Sequence, residues 1–233
     1  MRPAPAIAIA TLLLAACSAG EGSATAPTIG PTATPSVRPV VLPPGVPPSY
    51  GGDVEPGDLP AERLVPAGAT VTGTAFPGER TAIVTWSIGD DPFLREQGLV
   101  VWRRTPGSAP PWVATFALRD PPRAGVLGIR IDMADATGDG EADALVFGSV
   151  GGSGACGTWR LIALAPGADV VTYERDLCDA TVEFSADPVG LRVTELVFEP
   201  GDPHCCPSRS KTTTLRWDGT RWRATAVERS DGP

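Results

Sequence analysis

From about Tyr50 the chain is a succession of short β-type runs broken by Gly, Pro and Asp, and nowhere does that part sustain the 3.6-residue periodicity of a helix. The runs read as strands are 70–75, 81–88, 99–104, 112–118, 126–131, 142–147, 158–165, 170–174, 181–185, 191–198, 212–217 and 220–227. Many short strands at close spacing predict an all-β domain. The architecture expected is an antiparallel β-sandwich or a propeller-like meander of about ten to twelve strands. Asp218-Gly219 is the strongest hairpin signal, because a type I′ turn needs positive φ at both central positions. A two-residue loop there places Trp217 opposite Thr220 and Leu215 opposite Trp222, with both tryptophans on one face. In the run 191–198 the apolar parity shifts between Val193 and Leu196, which predicts a bulge near Thr194-Glu195.

The segment before residue 50 has no composition from which to bury a core. Residues 17–49 are dominated by Ser, Thr, Ala, Gly and Pro, with Pro43-Pro44 and Pro47-Pro48 near the end. Such a segment is expected to be a disordered, extended linker reaching up to roughly 100 Å. The globular domain is expected over residues 50–229, with a disordered tail at 230–233. Some ~180 residues suffice for one domain burying about 70% of the surface its unfolded chain exposes. The net charge of -8 argues against nucleic acid, which requires clustered Lys and Arg, and against electrostatic adhesion to anionic lipid.

Residues 1–16 carry one cation, Arg2, and then an apolar run to Ala16 that is too short to span a hydrocarbon core of ~30 Å. They read as a signal segment. Leu14-Ala15-Ala16-Cys17 closes the run and resembles the lipobox of bacterial lipoprotein precursors, in which cleavage before the cysteine frees it to carry lipid. The resemblance implies that Cys17 is lipidated. It also implies that the rest of the chain lies on the extracytoplasmic face of the cell membrane, and more than one acyl chain makes such an anchor stable.

The sharpest chemical constellation is Asp135-Ala136-Thr137-Gly138-Asp139-Gly140-Glu141-Ala142-Asp143, between two predicted strands. It resembles the calcium loop of FG-GAP and VCBS-type repeats: Asp, any residue, Asp or Asn, Gly, Asp, Gly, two of any kind, then Asp. Hard cations take oxygen ligands, and positions one, three, five and nine converge if Gly140 permits a sharp turn. The resemblance implies calcium held by the side chains of Asp135, Thr137, Asp139 and Asp143 and by the carbonyl of Glu141. Thr137 stands where those repeats carry Asp or Asn, which lowers the ligand charge. Val146 at the twelfth position excludes an EF-hand with its bidentate Glu. The Gly-rich stretch 148–157 lacks the Lys-Ser/Thr ending of a phosphate loop and reads as a connection.

Five cysteines become four once Cys17 is committed to lipid, an even set of the kind an exported disulfide framework requires. Cys156, Cys178, Cys205 and Cys206 allow three pairings. Adjacent Cα atoms are only ~3.8 Å apart across a trans peptide, below the usual disulfide range, so a Cys205–Cys206 bridge is strained and the interleaved pairings avoid that strain. The stretch Asp202-Pro203-His204-Cys205-Cys206-Pro207-Ser208, with Trp217-Asp218-Gly219 behind it, is similar to one in secreted and lipid-anchored actinobacterial proteins. There the adjacent cysteines occur without the other two. The resemblance therefore implies Cys205 with Cys206 and, by remainder, Cys156 with Cys178 across the hairpin they flank. It implies no activity.

His204 is the only histidine, so any histidine-dependent triad or zinc site must be built on it. The six tryptophans lie mostly within apolar runs, where burial is the ordinary outcome, although an aromatic platform for wall sugars is conceivable. The sequence points first to a non-enzymatic binding or structural protein of the cell envelope, facing a cell-wall polymer or an envelope protein. The alternatives are an envelope hydrolase using acidic-loop carboxylates and a thiol-redox protein using Cys205-Cys206.

Overall fold

The computed structural model describes residues 40–51, 58–91, 94–105, 107–108, 110–120, 128–151, 155–165, 168–203 and 205–231. Cys17, the signal segment, most of the linker and His204 lie outside the described residues. Those described form an all-β protein, with one 3-10 turn at Ala61–Arg63. The strands are β1 (Ser49–Tyr50), β2 (Thr70–Gly78), β3 (Thr81–Ile88), β4 (Glu96–Arg104), β5 (Trp112–Asp120), β6 (Gly128–Ala134), β7 (Asp143–Gly151), β8 (Cys156–Ala165), β9 (Ala168–Leu177), β10 (Ala180–Ala186), β11 (Val189–Val197), β12 (Arg209–Trp217) and β13 (Trp222–Asp231).

They make three antiparallel sheets, each an up-and-down meander of four consecutive strands: β2–β5 with β1 added at one edge, β6–β9, and β10–β13. Neighbours in sequence are neighbours in the sheet because their connections are short, and short connections suit antiparallel pairs.

The sheets stack face to face. Ile83, Leu99 and Val101 of the first pack on Ala144, Val146, Ile162 and Leu164 of the second. On its other face the second sheet places Leu145, Trp159, Leu161 and Tyr173 against Val182, Leu191, Val193, Leu215 and Trp222 of the third. Burial on both sides explains why Leu161-Ile162-Ala163-Leu164 is continuously apolar where a one-sided strand would alternate.

Both ends of the stack are finished. The outer face of the first sheet, with Trp86, Trp102 and Trp112, is covered by Val46, Leu59, Leu64 and Val65 of the preceding segment. The register puts Thr181, Thr194 and Thr212 in one row of the third sheet's outer face and Glu183, Arg192 and Thr214 in the next. That polar face suits water.

Several local expectations are corrected. Trp217 pairs directly with Trp222 and Leu215 with Ala224, so Asp218-Gly219 belongs to a four-residue loop, 218–221. The Asp218 carboxylate decides this by accepting the amides of Thr220 and Arg221, both at 2.9 Å, and the Thr220 hydroxyl at 2.8 Å. The two tryptophans do share a face, with ring centroids 5.5 Å apart. β11 pairs without a bulge on either side, and the irregularity lies instead between β12 and β13, where Thr214 pairs with Ala226 and Leu215 with Ala224, leaving Thr225 of β13 as the extra residue. The parity shift has another cause. Glu195 faces the second sheet to meet Arg175, which turns Leu196 to the outer face. At the ends, Val46 is buried and Ser49 is paired, and β13 takes Ser230 and Asp231 into the sheet opposite Ser210 and Arg209.

Candidate functional site

The acidic loop joins β6 to β7, and its last acid, Asp143, is the first residue of β7, opposite Ala134. Gly138 and Gly140 have φ of 78° and 90°, left-handed values that favour glycine and let the chain fold back on itself. Asp135, Thr137, Asp139 and Glu141 lie in this turn, and Asp143 opens the strand that follows it.

The carboxylates hold the loop's own amides. Asp135 Oδ1 accepts the N–H groups of Gly138 (2.6 Å) and Asp139 (3.2 Å), and its Oδ2 accepts that of Gly140 (2.9 Å). Asp139 Oδ1 accepts the amide of Glu141 at 2.9 Å. Asp143 Oδ2 accepts those of Ala136 (2.9 Å) and Thr137 (2.8 Å). This is the turn chemistry of Asp carried through a whole loop.

Two oxygens are left over. Asp143 is fully buried, and its Oδ1 has no hydrogen-bond partner; neither has the buried Thr137 Oγ1. The Thr137 hydroxyl lies close enough to the carboxylate to ease its ionisation without reaching hydrogen-bond geometry. Burial raises the Asp143 carboxyl above its ordinary range, the amides of Thr137 and Ala136 oppose that shift, and the charge of Asp139 adds to it. Among the described residues no three His, Cys, Asp or Glu side chains are placed to hold a metal. The donor types fit a hard cation, with Thr137 and Asp143 each offering an unpartnered oxygen. Both Asp135 oxygens and Asp139 Oδ1 are taken up by amides of the loop.

Cys156 and Cys178 form a disulfide that extends the β8–β9 ladder one step beyond the Gly157–Leu177 pair. Cys205 and Cys206 are free, exposed and side by side, with their sulfurs 2.7 Å apart. They sit in the turn between β11 and β12. Asp202 Oδ2 organises that turn by accepting the amides of Glu199 (2.7 Å) and Ser208 (2.9 Å), which hold its carboxyl below the usual range. The Cys206 amide donates to the Pro203 carbonyl at 2.9 Å.

Trp86, Trp102, Trp112, Trp159 and Trp222 are buried, which removes them from any exposed platform. On the outer face of the third sheet an open groove of about 460 Å³ runs beside Asp187 and Pro188, with Ser185, Arg192, Thr214 and Glu228 in its walls.

Sequence reasoning missed the buried ion pairs between the first two sheets. Arg160 donates to both Asp120 oxygens (3.0 and 2.9 Å) and to Glu174 Oε2 (2.9 Å). Arg103 Nη2 reaches Asp169 Oδ1 at 2.6 Å, and the Thr115 hydroxyl donates to the same carboxylate. The available signal was Arg160 inside the apolar run Trp159 to Leu164, since a charge in a strand buried on both sides has to be paired.

Together these features define a disulfide-bridged all-β domain built of three stacked meanders with an amide-capped acidic loop. Comparison of the chain with protein-family models, with curated proteins and with solved structures finds no match.

Proposed function

We propose that the chain is a lipid-anchored cell-envelope protein. Cys17 ties it to the extracytoplasmic face of the membrane, the linker holds it outward, and the β domain is a non-enzymatic binding or structural module for a cell-wall polymer or an envelope protein. The observation that carries this reading is the Cys156–Cys178 bridge. Structural disulfides persist in oxidising compartments, and the bridge uses cysteines from the even set left when Cys17 is assigned to lipid. The capped ends of the stack and the open polar groove also support a presented surface over an enclosed reaction chamber.

Calcium at the acidic loop belongs to the same reading, with Asp135, Thr137, Asp139 and Asp143 as side-chain ligands and Glu141 as carbonyl donor. Its support is the pair of buried, unpartnered oxygens on Thr137 and Asp143, a deficit that a hard cation would meet. Bound cation would also offset the cost of an ionised, buried Asp143.

Two measurements test the reading. Cys17→Ser is expected to release the folded β domain from washed membranes, and unchanged retention would refute the anchor. Calcium added to the metal-free protein is expected to raise its melting temperature and to give a calorimetric binding isotherm, both lost in Asp143→Asn. Absence of heat and of any thermal shift in the parent chain would remove calcium from the reading while leaving the anchor untouched.

A further inference from the structure

The Cys156–Cys178 bridge leaves Cys205 and Cys206 with no other described cysteine to pair with. Both are exposed and stand apart from the three hydrophobic clusters, and their sulfurs point to the same side of the turn at 2.7 Å. The turn does not depend on a bond between them. The Asp202 carboxylate clamps its two ends through Glu199 and Ser208, and the Cys206 amide is already held by the Pro203 carbonyl. Sulfur chemistry can therefore proceed at the tip while the β11–β12 ladder stays intact.

A disulfide between neighbouring residues closes a small ring across Cα atoms ~3.8 Å apart, against the usual 4.4–6.8 Å, and strained exposed bridges are the labile ones. We propose that Cys205 and Cys206 are a thiol–disulfide exchange site for small thiols and disulfides, opening and closing reversibly while Cys156–Cys178 remains a fixed structural bridge. In the opening direction a small thiolate attacks one sulfur of the bridge. This forms a mixed disulfide and frees the other cysteine as a thiolate, which takes a proton. A second small thiolate then attacks the outer sulfur of the mixed disulfide, releasing the small disulfide and the remaining cysteine. The site gains two electrons and two protons, and two small thiols lose them.

Geometry also favours closure over independent reactivity. Once one cysteine has been captured as a mixed disulfide, the sulfur of its chain neighbour stands beside it and can displace the small thiol. The Cys206 thiol is pushed above its ordinary range, by hydrogen bonding with Cys205 first, then by desolvation and by the charge of Cys205. This site stands independently of the lipid anchor and of calcium.

The test is equilibration of the full chain in glutathione buffers of graded thiol-to-disulfide ratio, followed by acid quench, alkylation and peptide mass spectrometry. The expected result is alkylation of both Cys205 and Cys206 at ratios where the Cys156–Cys178 peptides stay linked, with midpoints separated by at least tenfold. Coincident or reversed midpoints would overturn the proposal. So would full alkylation of the pair in the most oxidising buffer, or a linkage of either cysteine to Cys156 or Cys178. Cys206→Ser is expected to trap one glutathione on Cys205, and no adduct counts against exchange. The Cys205→Ser/Cys206→Ser variant is expected to keep the parent's melting temperature. If it unfolds, the pair is structural and the proposal fails.

Discussion

The second sheet meets its two neighbours in different ways. Against the first sheet it presents an aliphatic layer bounded by ion pairs, Asp120 with Arg160 and Asp169 with Arg103. Against the third sheet it presents Trp159 and Tyr173, and the charges described at that rim, Arg130 over the Trp159 ring, Arg175, Glu195 and Lys211, are all partly open to solvent. Aliphatic faces would tolerate sliding, so the first interface is specified by its charges: a slip of one residue would strand Arg160 and Asp120 without water. The second interface is specified by shape. Tyr173 meets Trp222 edge-on with centroids 6.5 Å apart, Phe147 stacks on Trp159 at 4.4 Å, and interlocking rings of this size leave few alternative fits.

The largest expected effect breaks the charged interface. Arg160 and Asp120 side chains are 6% and 10% exposed, and their bidentate contact is the strong geometry for this pair. Burial by itself would disfavour the Arg160 cation, and Asp120 and Glu174 more than restore it. Asp120→Ala leaves that cation to Glu174, which is 56% exposed, and is expected to cost about 3–5 kcal/mol in denaturant unfolding. The double change Asp120→Leu with Arg160→Met is expected to recover most of that loss, because an apolar replacement avoids the desolvation penalty. A single variant costing less than about 1 kcal/mol would mean that the pair behaves as a surface pair and would erase the contrast.

The aromatic interface is expected to yield somewhat less. Trp222→Ala removes a ring packed on Tyr173 and Trp217, and the expected cost is about 3 kcal/mol, the lower end of the range for such truncations. The reason is position. Trp222 opens β13, whose other residues are exposed, so water and neighbouring side chains can partly fill the gap. Equal losses for Asp120→Ala and Trp222→Ala, measured by the same denaturant titration, would show that burial alone sets both interfaces.

Strands and faces were legible in the sequence to very different degrees. Each of the twelve predicted runs overlaps a strand, although 126–127 lie outside the described residues and 220–221 fall in the 218–221 loop, because β-branched and aromatic residues bounded by Gly, Pro and Asp leave the backbone few other options. The unbroken apolar run through Leu161 and Leu164 is a signature of a strand buried on both faces that none of the expectations above drew on. Which sheet lay on which side was not encoded locally, since Asp120 and Arg160 are forty residues apart and nothing near either names the other. The 218–221 hairpin failed at the level of a single side chain. Asp218-Gly219 predicts a two-residue turn, whereas the Asp218 carboxylate captures Thr220 and Arg221 and lengthens the loop. The acidic loop shows the same limit. Spacing placed five residues together, but the direction of each carboxylate depends on which amides the glycines expose.

The smallest expected effect sharpens the comparison from the other side. Glu195 accepts Arg175 at 3.4 Å and Lys211 at 3.2 Å, with side-chain exposures of 25%, 37% and 35% respectively. These are the same charge types as at Asp120–Arg160, placed between two sheets in the same fold. Water screens them, and two long cations must be ordered to make the contact, so Glu195→Ala is expected to cost no more than ~1 kcal/mol. The residual effect should vanish near 1 M salt, where the screening length falls to ~3 Å, while the cost of Asp120→Ala should persist there because a buried pair is screened far less. Denaturant titrations of both variants at low and high salt therefore separate two explanations that a single condition leaves mixed. If the Glu195→Ala cost is large and survives salt, the aromatic interface is locked by charge as well as shape, and the two faces of the second sheet follow one rule.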